Sequence, residues 1–235
     1  MSATSGTRGL HTRRAVAAIS FDLDGTLLDT VPDLAMAARD MALELGLPPR
    51  CEDEVRVFVG RGMSNLVERC LGEHAQDAAL LAQAIEVFRR GYRARNGEHS
   101  TAYPGAHDTL AALKAAGFRL ACVTNKPGDF TEPLLELMKM RPYFDCVVSG
   151  DTLPQKKPDP APLLHAAAQL CCAPAALLHI GDSYNDIDCA RAAGVPVFGV
   201  PWGYSEGRVL DAKDCDGLLS SLPDLFDRVT LSTGL

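Results

Sequence analysis

The sequence predicts an α/β fold, a doubly wound parallel sheet with a small α-helical cap inserted after its first strand. Three observations carry that expectation. Short, continuously apolar runs recur at residues 16–21, 119–123, 144–149, 176–180 and 195–200; hydrophobicity that does not alternate marks strands buried on both faces, as in a parallel sheet covered by helices. Segments with helical spacing lie between most of these runs, the alternation that builds such sheets. One interval, residues 22–118, is far longer than a single crossover and reads mainly as helices.

Taken in order, the run 16–21 forms the first strand and ends on an acidic cluster. Three apolar stripes follow. Leu34, Ala38, Met41 and Leu45 share a helical face, as do Leu66, Val67 and Cys70, and then Leu81, Ala84, Ile85, Phe88 and Tyr92. These place the cap at 31–100 and the α/β core at 15–30 and 101–235. A helix over 106–116 turns Leu110 and Leu113 inward, and Gly117 suits the left-handed position beyond its end. Gly194 does the same after a helix over 184–193. Residues 1–14 are polar and basic, and the apolar stretch behind them is too short for a signal-peptide core, so they read as a flexible N-terminal extension.

Composition narrows the function. With 47% apolar and 23% charged residues the chain is an ordinary globular protein rather than a disordered one. A formal charge of -7 without a basic stripe argues against nucleic acid and anionic membrane as partners. None of the eight cysteines forms a C-x-x-C pair, and Cys122 and Cys146 sit in apolar runs, which points to reduced, buried thiols and a cytoplasmic location. No apolar run reaches the roughly 18 residues that span a bilayer.

The chemistry gathers at strand ends. The first strand closes in Phe21-Asp22-Leu23-Asp24-Gly25-Thr26. Side chains two apart on a strand point the same way, so Asp22 and Asp24 are set close and repel unless a cation or proton intervenes. The second strand ends in Val123-Thr124-Asn125-Lys126-Pro127, a hydroxyl followed by amides that can hold phosphate oxygens. After the third comes Gln155-Lys156-Lys157-Pro158, in which Lys157, directly before proline, is held in extended backbone. The fourth ends in Gly181-Asp182-Ser183-Tyr184-Asn185-Asp186, where Asp186 also suits a helix start. In a doubly wound sheet ligands bind beyond the carboxyl ends of the strands, so these segments converge on one crevice. A hard cation such as Mg²⁺ answers the repulsion among the acids.

These four segments, in this order, resemble the motifs of the haloacid dehalogenase-like (HAD) superfamily of phosphotransferases, most closely its phosphoglycolate phosphatase branch. The resemblance covers nearly all the chain from Val16 onward. It implies a Rossmann-like core with a small helical cap and a Mg²⁺-dependent phosphoric monoester hydrolase. Asp22 is then the nucleophile that becomes an aspartyl phosphate, and Asp24 the general acid and base. Thr124 and Lys157, with Asn125, bind phosphate. Asp22, Asp182 and the Asp24 carbonyl hold the metal, and Asp186 supports that shell.

The cap is expected to read the organic part of a small phosphate ester, most simply 2-phosphoglycolate. Its stretch Phe58-Val59-Gly60-Arg61-Gly62-Met63 offers Arg61 as a partner for a substrate carboxylate. His179 and Trp202 have no assigned role, and monomer and homodimer stay open. A sugar-phosphate mutase, or a phosphatase of sugar phosphates or nucleotides, would keep the same aspartates. A non-enzymatic, receiver-like phospho-acceptor would need neither Asp24 nor a cap. Dehalogenation is disfavoured by the presence of Asp24, and phosphonate cleavage by the absence of lysine from 31–100.

Overall fold

The computed structural model describes residues 13–232. In chain order the elements begin with β1 (Arg14–Val16), β2 (Ala18–Phe21), β3 (Leu28–Asp29), α1 (Val31–Glu44), α2 (Glu52–Arg56), α3 (Met63–Leu71) and α4 (Ala78–Arg95). They continue with β4 (Thr101–Ala102), α5 (Ala106–Ala115), β5 (Arg119–Val123), α6 (Gly128–Leu137), β6 (Cys146–Val148), α7 (Ala161–Gln169) and β7 (Leu177–Gly181). The last are α8 (Tyr184–Ala193), β8 (Val197–Gly199), β9 (Gly217–Leu218), α9 (Leu225–Arg228) and β10 (Val229–Leu231). The expected extension 1–14 lies outside the described residues as far as residue 12, and Arg14 opens β1.

Six strands form one parallel sheet in the order β6-β5-β2-β7-β8-β9. Its central strands β2, β5, β7 and β8 are buried on both faces, as their unbroken apolar runs require. Along β5, Leu120 and Cys122 join one apolar cluster while Ala121 and Val123 join another, because successive side chains leave opposite faces of a strand. Leu110 and Leu113 of α5 cover the first face; Leu163 and Ala166 of α7, with Ile187 and Ala190 of α8, cover the second. The first apolar run divides in two. Val16 pairs with Leu231 in a separate two-stranded ladder, and only Ala18–Phe21 enters the main sheet.

The chain leaves β2 towards β5 on one side and β7 on the other, so the strand order reverses beside β2. Such a switch point opens a crevice beyond the strand ends. Residues 31–95 form a helical layer with its own apolar cluster, built around Leu34, Met41, Val67, Phe88 and Tyr92. Helices α1 and α4 pack together, and the antiparallel pair β3–β4 joins the two crossings into this layer. The buried Asp33 carboxylate fixes the second crossing, accepting hydrogen bonds from the Gly97, His99 and Ser100 amides and from the Ser100 hydroxyl. The layer rests on the core through Tyr92 and Phe130, whose ring centroids lie 5.0 Å apart.

Candidate active site

Asp22 follows β2 directly at the switch point, and its amide donates to Ile180 O at 2.9 Å, which locks it to the neighbouring strand. Asp182 follows β7, and Asp186 lies in the first turn of α8. Oxygens of Asp22, Asp182 and Asp186 all lie within 4.8 Å of one another. Gly25 makes that approach possible. Its φ of +88° lies in the left-handed region, and a Cβ there would fall 2.5 Å from Asp182 Oδ2.

Lys157 is the counter-charge. Its ammonium lies 2.7 Å from Asp186 Oδ1 and 2.9 Å from Asp22 Oδ1, and it donates to Val123 O at 2.8 Å. The Asp22 contact is ionic but lies off the hydrogen-bonding direction, so Asp22 Oδ1 is buried without an aligned donor. Asp186 is the opposite case. Its Oδ1 also meets His179 Nε2 at 3.0 Å, and its Oδ2 accepts from the amide and hydroxyl of Ser183. His179 in turn places Nδ1 2.9 Å from Ser20 Oγ. Since an ionised Asp186 can only accept, Nε2 carries the proton and Nδ1 accepts from Ser20. Asp182 is held through Oδ2 by the Tyr204 and Ser205 amides and through Oδ1 by the Thr26 hydroxyl.

Burial dominates the electrostatics. It pushes the Asp22 carboxyl up to about 8, against the pull of Lys157 and with help from Asp186 and Asp182. It pushes Asp182 up to about 7, with Asp186 adding to the rise. Asp186 goes down despite burial, because Lys157 and His179 favour its charged form. Lys157 goes up despite burial, because Asp186 and Asp22 hold its proton. Three carboxylates and one ammonium leave a formal charge of -2 in a buried site. Together with the unsatisfied Asp22 oxygen and an all-oxygen donor set, that fits a hard divalent cation.

Asp24 is turned elsewhere. Its Oδ1 accepts from Thr30 Oγ1 at 2.7 Å and from Lys126 Nζ at 3.1 Å. Lys126 is buried and donates also to the Tyr92 hydroxyl at 2.6 Å, so a core lysine bridges Asp24 to the helical layer. Asp24 and Tyr92 raise the Lys126 ammonium, outweighing burial. Thr124 Oγ1 accepts from the Lys126 amide at 3.2 Å and faces the same space.

Asn125 is spent on the frame: its amide group donates to Gly60 O and Lys157 O, and its oxygen accepts from the Lys157 amide. Between core and helical layer lies a cavity of about 480 Å³, counting its open mouth. Asp22, Asp24, Thr124 and Lys126 form its polar floor; Leu34, Met63, Leu66, Phe88 and Phe130 are among its apolar walls.

The structure therefore brings Asp22, Asp182, Asp186 and Lys157 into contact, with Asp24 and Thr124 beside them. It does not bring Arg61 there. Arg61 forms a two-point ion pair with Glu206, at 2.7 and 3.1 Å, outside the cavity lining. Lys126 escaped the sequence reading although its signal was present, because it too stands directly before a proline. Two residues left unassigned gain partners: His179 holds Asp186, and Trp202 Nε1 donates to Thr26 O at 3.3 Å.

Comparison with known proteins follows the same outline. The model of the haloacid dehalogenase-like hydrolases matches residues 19–200. A phosphoglycolate phosphatase of Nitrosospira multiformis is 47% identical over 216 residues, covering 91% of this chain and 95% of its own length. One of Thiobacillus denitrificans is 47% identical over 218 residues, covering 92% and 96%. Among solved structures, a predicted phosphoglycolate phosphatase from Haemophilus somnus superposes with a TM-score of 0.85 at 32% identity, covering 90% of this chain and 96% of that one.

Proposed function

Because the chain belongs to the haloacid dehalogenase-like hydrolase family, and is a phosphatase like its relatives, we propose that it hydrolyses 2-phosphoglycolate through an aspartyl phosphate on Asp22 with Mg²⁺ as cofactor. The observation that carries this reading is the Asp22 carboxylate. It is buried at the switch point, one oxygen has no aligned donor, and a lysine and two further acids surround it.

Asp22 and Asp182, with the Asp24 carbonyl, would hold the cation, and Asp186 backs that set through Lys157. Bound there, Mg²⁺ supplies positive charge that lets an anionic nucleophile approach a phosphate dianion. The chain's own residues do the rest. Lys157 neutralises charge on the transferring oxygens, and the Thr124 hydroxyl donates to one of them. Asp22 attacks phosphorus in line, forming the Asp–O–P bond while the ester oxygen leaves. Asp24, swinging from its contacts with Thr30 and Lys126, gives that oxygen a proton and later takes one from the water that cleaves the aspartyl phosphate. Residues 31–100 act as a cap over this chemistry, and the apolar cavity walls keep bulk water from the intermediate.

The test is phosphate release from 2-phosphoglycolate, sugar phosphates and nucleotides, with Mg²⁺ and then with chelator. The reading expects 2-phosphoglycolate to be preferred, chelation to abolish turnover, and no bisphosphate activator to be needed. Turnover that persists in chelator removes the metal. Phosphate return to substrate under bisphosphate activation identifies a mutase instead.

A further inference from the structure

We propose that Lys126 is the residue that reads the negative charge on the organic end of the substrate, a role the sequence had pointed to in Arg61. The inference rests on the phosphatase reading above and names the feature of the substrate that this site selects. Among the described residues lining the cavity, Lys126 is the one cation. Arg61 is turned outward to Glu206, and Arg89 and Arg93 are paired with Asp129 beyond the lining. An ammonium has three N–H donors, and Lys126 directs them at Tyr92 and at the two oxygens of Asp24, the second at a long 3.5 Å. That long contact holds its donor weakly, and the turn of Asp24 towards the leaving oxygen frees it for an anionic ligand at the polar floor of the cavity.

Position supports the same assignment. The proton donor to the leaving oxygen must stand beside that oxygen, and Asp24, which starts 3.1 Å from Lys126 Nζ, reaches it by rotation of its own short side chain, so the ammonium stays close by. In a two-carbon phosphate the acid carbon is only two bonds from the leaving oxygen, so its carboxylate falls near the same ammonium. A charge buried at 5% exposure recognises an anion strongly, because water cannot screen the pair. The Tyr92 hydroxyl, 2.6 Å away, fixes the ammonium from the helical layer. Selection for an anionic tail is therefore complete only when that layer is closed over the core.

Three substrates of one size separate the possibilities: 2-phosphoglycolate, ethyl phosphate and phosphoethanolamine, with negative, neutral and positive tails. For the native enzyme kcat/KM is expected to fall in that order. In Lys126→Met the ratio of 2-phosphoglycolate to ethyl phosphate should drop by about 10- to 100-fold, the loss of one charge-assisted hydrogen bond. Tyr92→Phe keeps the ring packing and should lower the ratio by about 3-fold. It serves as the test if Lys126→Met fails to fold. Lys213→Met, at a lysine 76% exposed and outside the cavity lining, should leave the ratio as it was. Equal losses on both substrates in Lys126→Met, or an unchanged ratio in Tyr92→Phe, overturn the inference. A native enzyme that hydrolyses all three without preference also overturns it while leaving the phosphatase intact. One that hydrolyses none sinks the phosphatase reading itself.

Discussion

Replacing Lys157 with methionine keeps the stem and removes the charge on which the acidic centre depends. Lys157 is 3% exposed, and its ammonium sits 2.7 Å from Asp186 and 2.9 Å from Asp22, with Val123 O as third partner. Taking one partner from a buried ion pair costs about 3–5 kcal/mol, because the remaining charge is left uncompensated. For a chain of this length, each kcal/mol shifts the melting temperature by about 2–4 °C, which gives a drop of about 6–20 °C. The deficit must depend on pH. Without the ammonium, Asp22 and Asp182 move still further above their unfolded values and Asp186 loses the main charge that holds it below its own, so the folded state binds more protons than before and the deficit grows as pH rises. Urea melts of both proteins in chelator should show the full deficit near pH 8 and a smaller one near pH 5.5. The double variant Lys157→Met/Asp22→Asn should recover part of it. A deficit below about 1 kcal/mol, the size of an exposed pair, or one that does not change with pH, would refute the reasoning.

On the proposed reading Mg²⁺ binds by displacing protons from Asp22 and Asp182, whose values near 8 and 7 lie above those of unfolded aspartates. The ion-free protein should therefore lose stability as pH rises from about 4 to about 8, and added Mg²⁺ should raise the melting temperature more at pH 8.5 than at pH 6; an equal rise at both would contradict this. Asp24→Asn leaves the buried Lys126 ammonium without its counter-charge, so it should fold with a lowered melting temperature and turn over about 10²- to 10⁴-fold more slowly in single-turnover assays. Arg61→Ala removes an ion pair in which the arginine is 58% exposed but Glu206 only 10%, and Glu206 keeps Asn185 as a partner, so stability should fall by about 1 kcal/mol. Its effect on KM should be the same for 2-phosphoglycolate and ethyl phosphate; a selective loss on the former would return the reader's role to Arg61.

Much of the fold was legible because burial on both sheet faces leaves a simple trace, an unbroken apolar run such as 119–123. The helix stops were equally plain: Gly117 and Gly194 both adopt positive φ beyond their helices. Short edge pieces were not. Gly217–Leu218 and Val229–Leu231 carry too few residues for a period, and only their partners in the sheet make them strands. The acids at strand ends could be read because topology alone gathers them. Side-chain direction could not be read. Arg61 and Lys126 both lie next to the cavity in sequence terms, but Glu206, from a distant loop, draws one out, and Asp24 with Tyr92 draws the other in. His179 shows the same limit. Its place between Ser20 and Asp186 depends on the register of β2 against β7, in which Ser20 lies opposite His179.

The most direct measurement is chemical trapping of the intermediate. Enzyme mixed with 2-phosphoglycolate and Mg²⁺ is quenched in acid, reduced with borohydride and digested, which converts an aspartyl phosphate to homoserine. The account predicts homoserine at position 22, absent when Mg²⁺ is withheld and absent in Asp22→Asn. Homoserine at another aspartate, or phosphate release by the native enzyme with no modification at position 22 at any quench time, would contradict it.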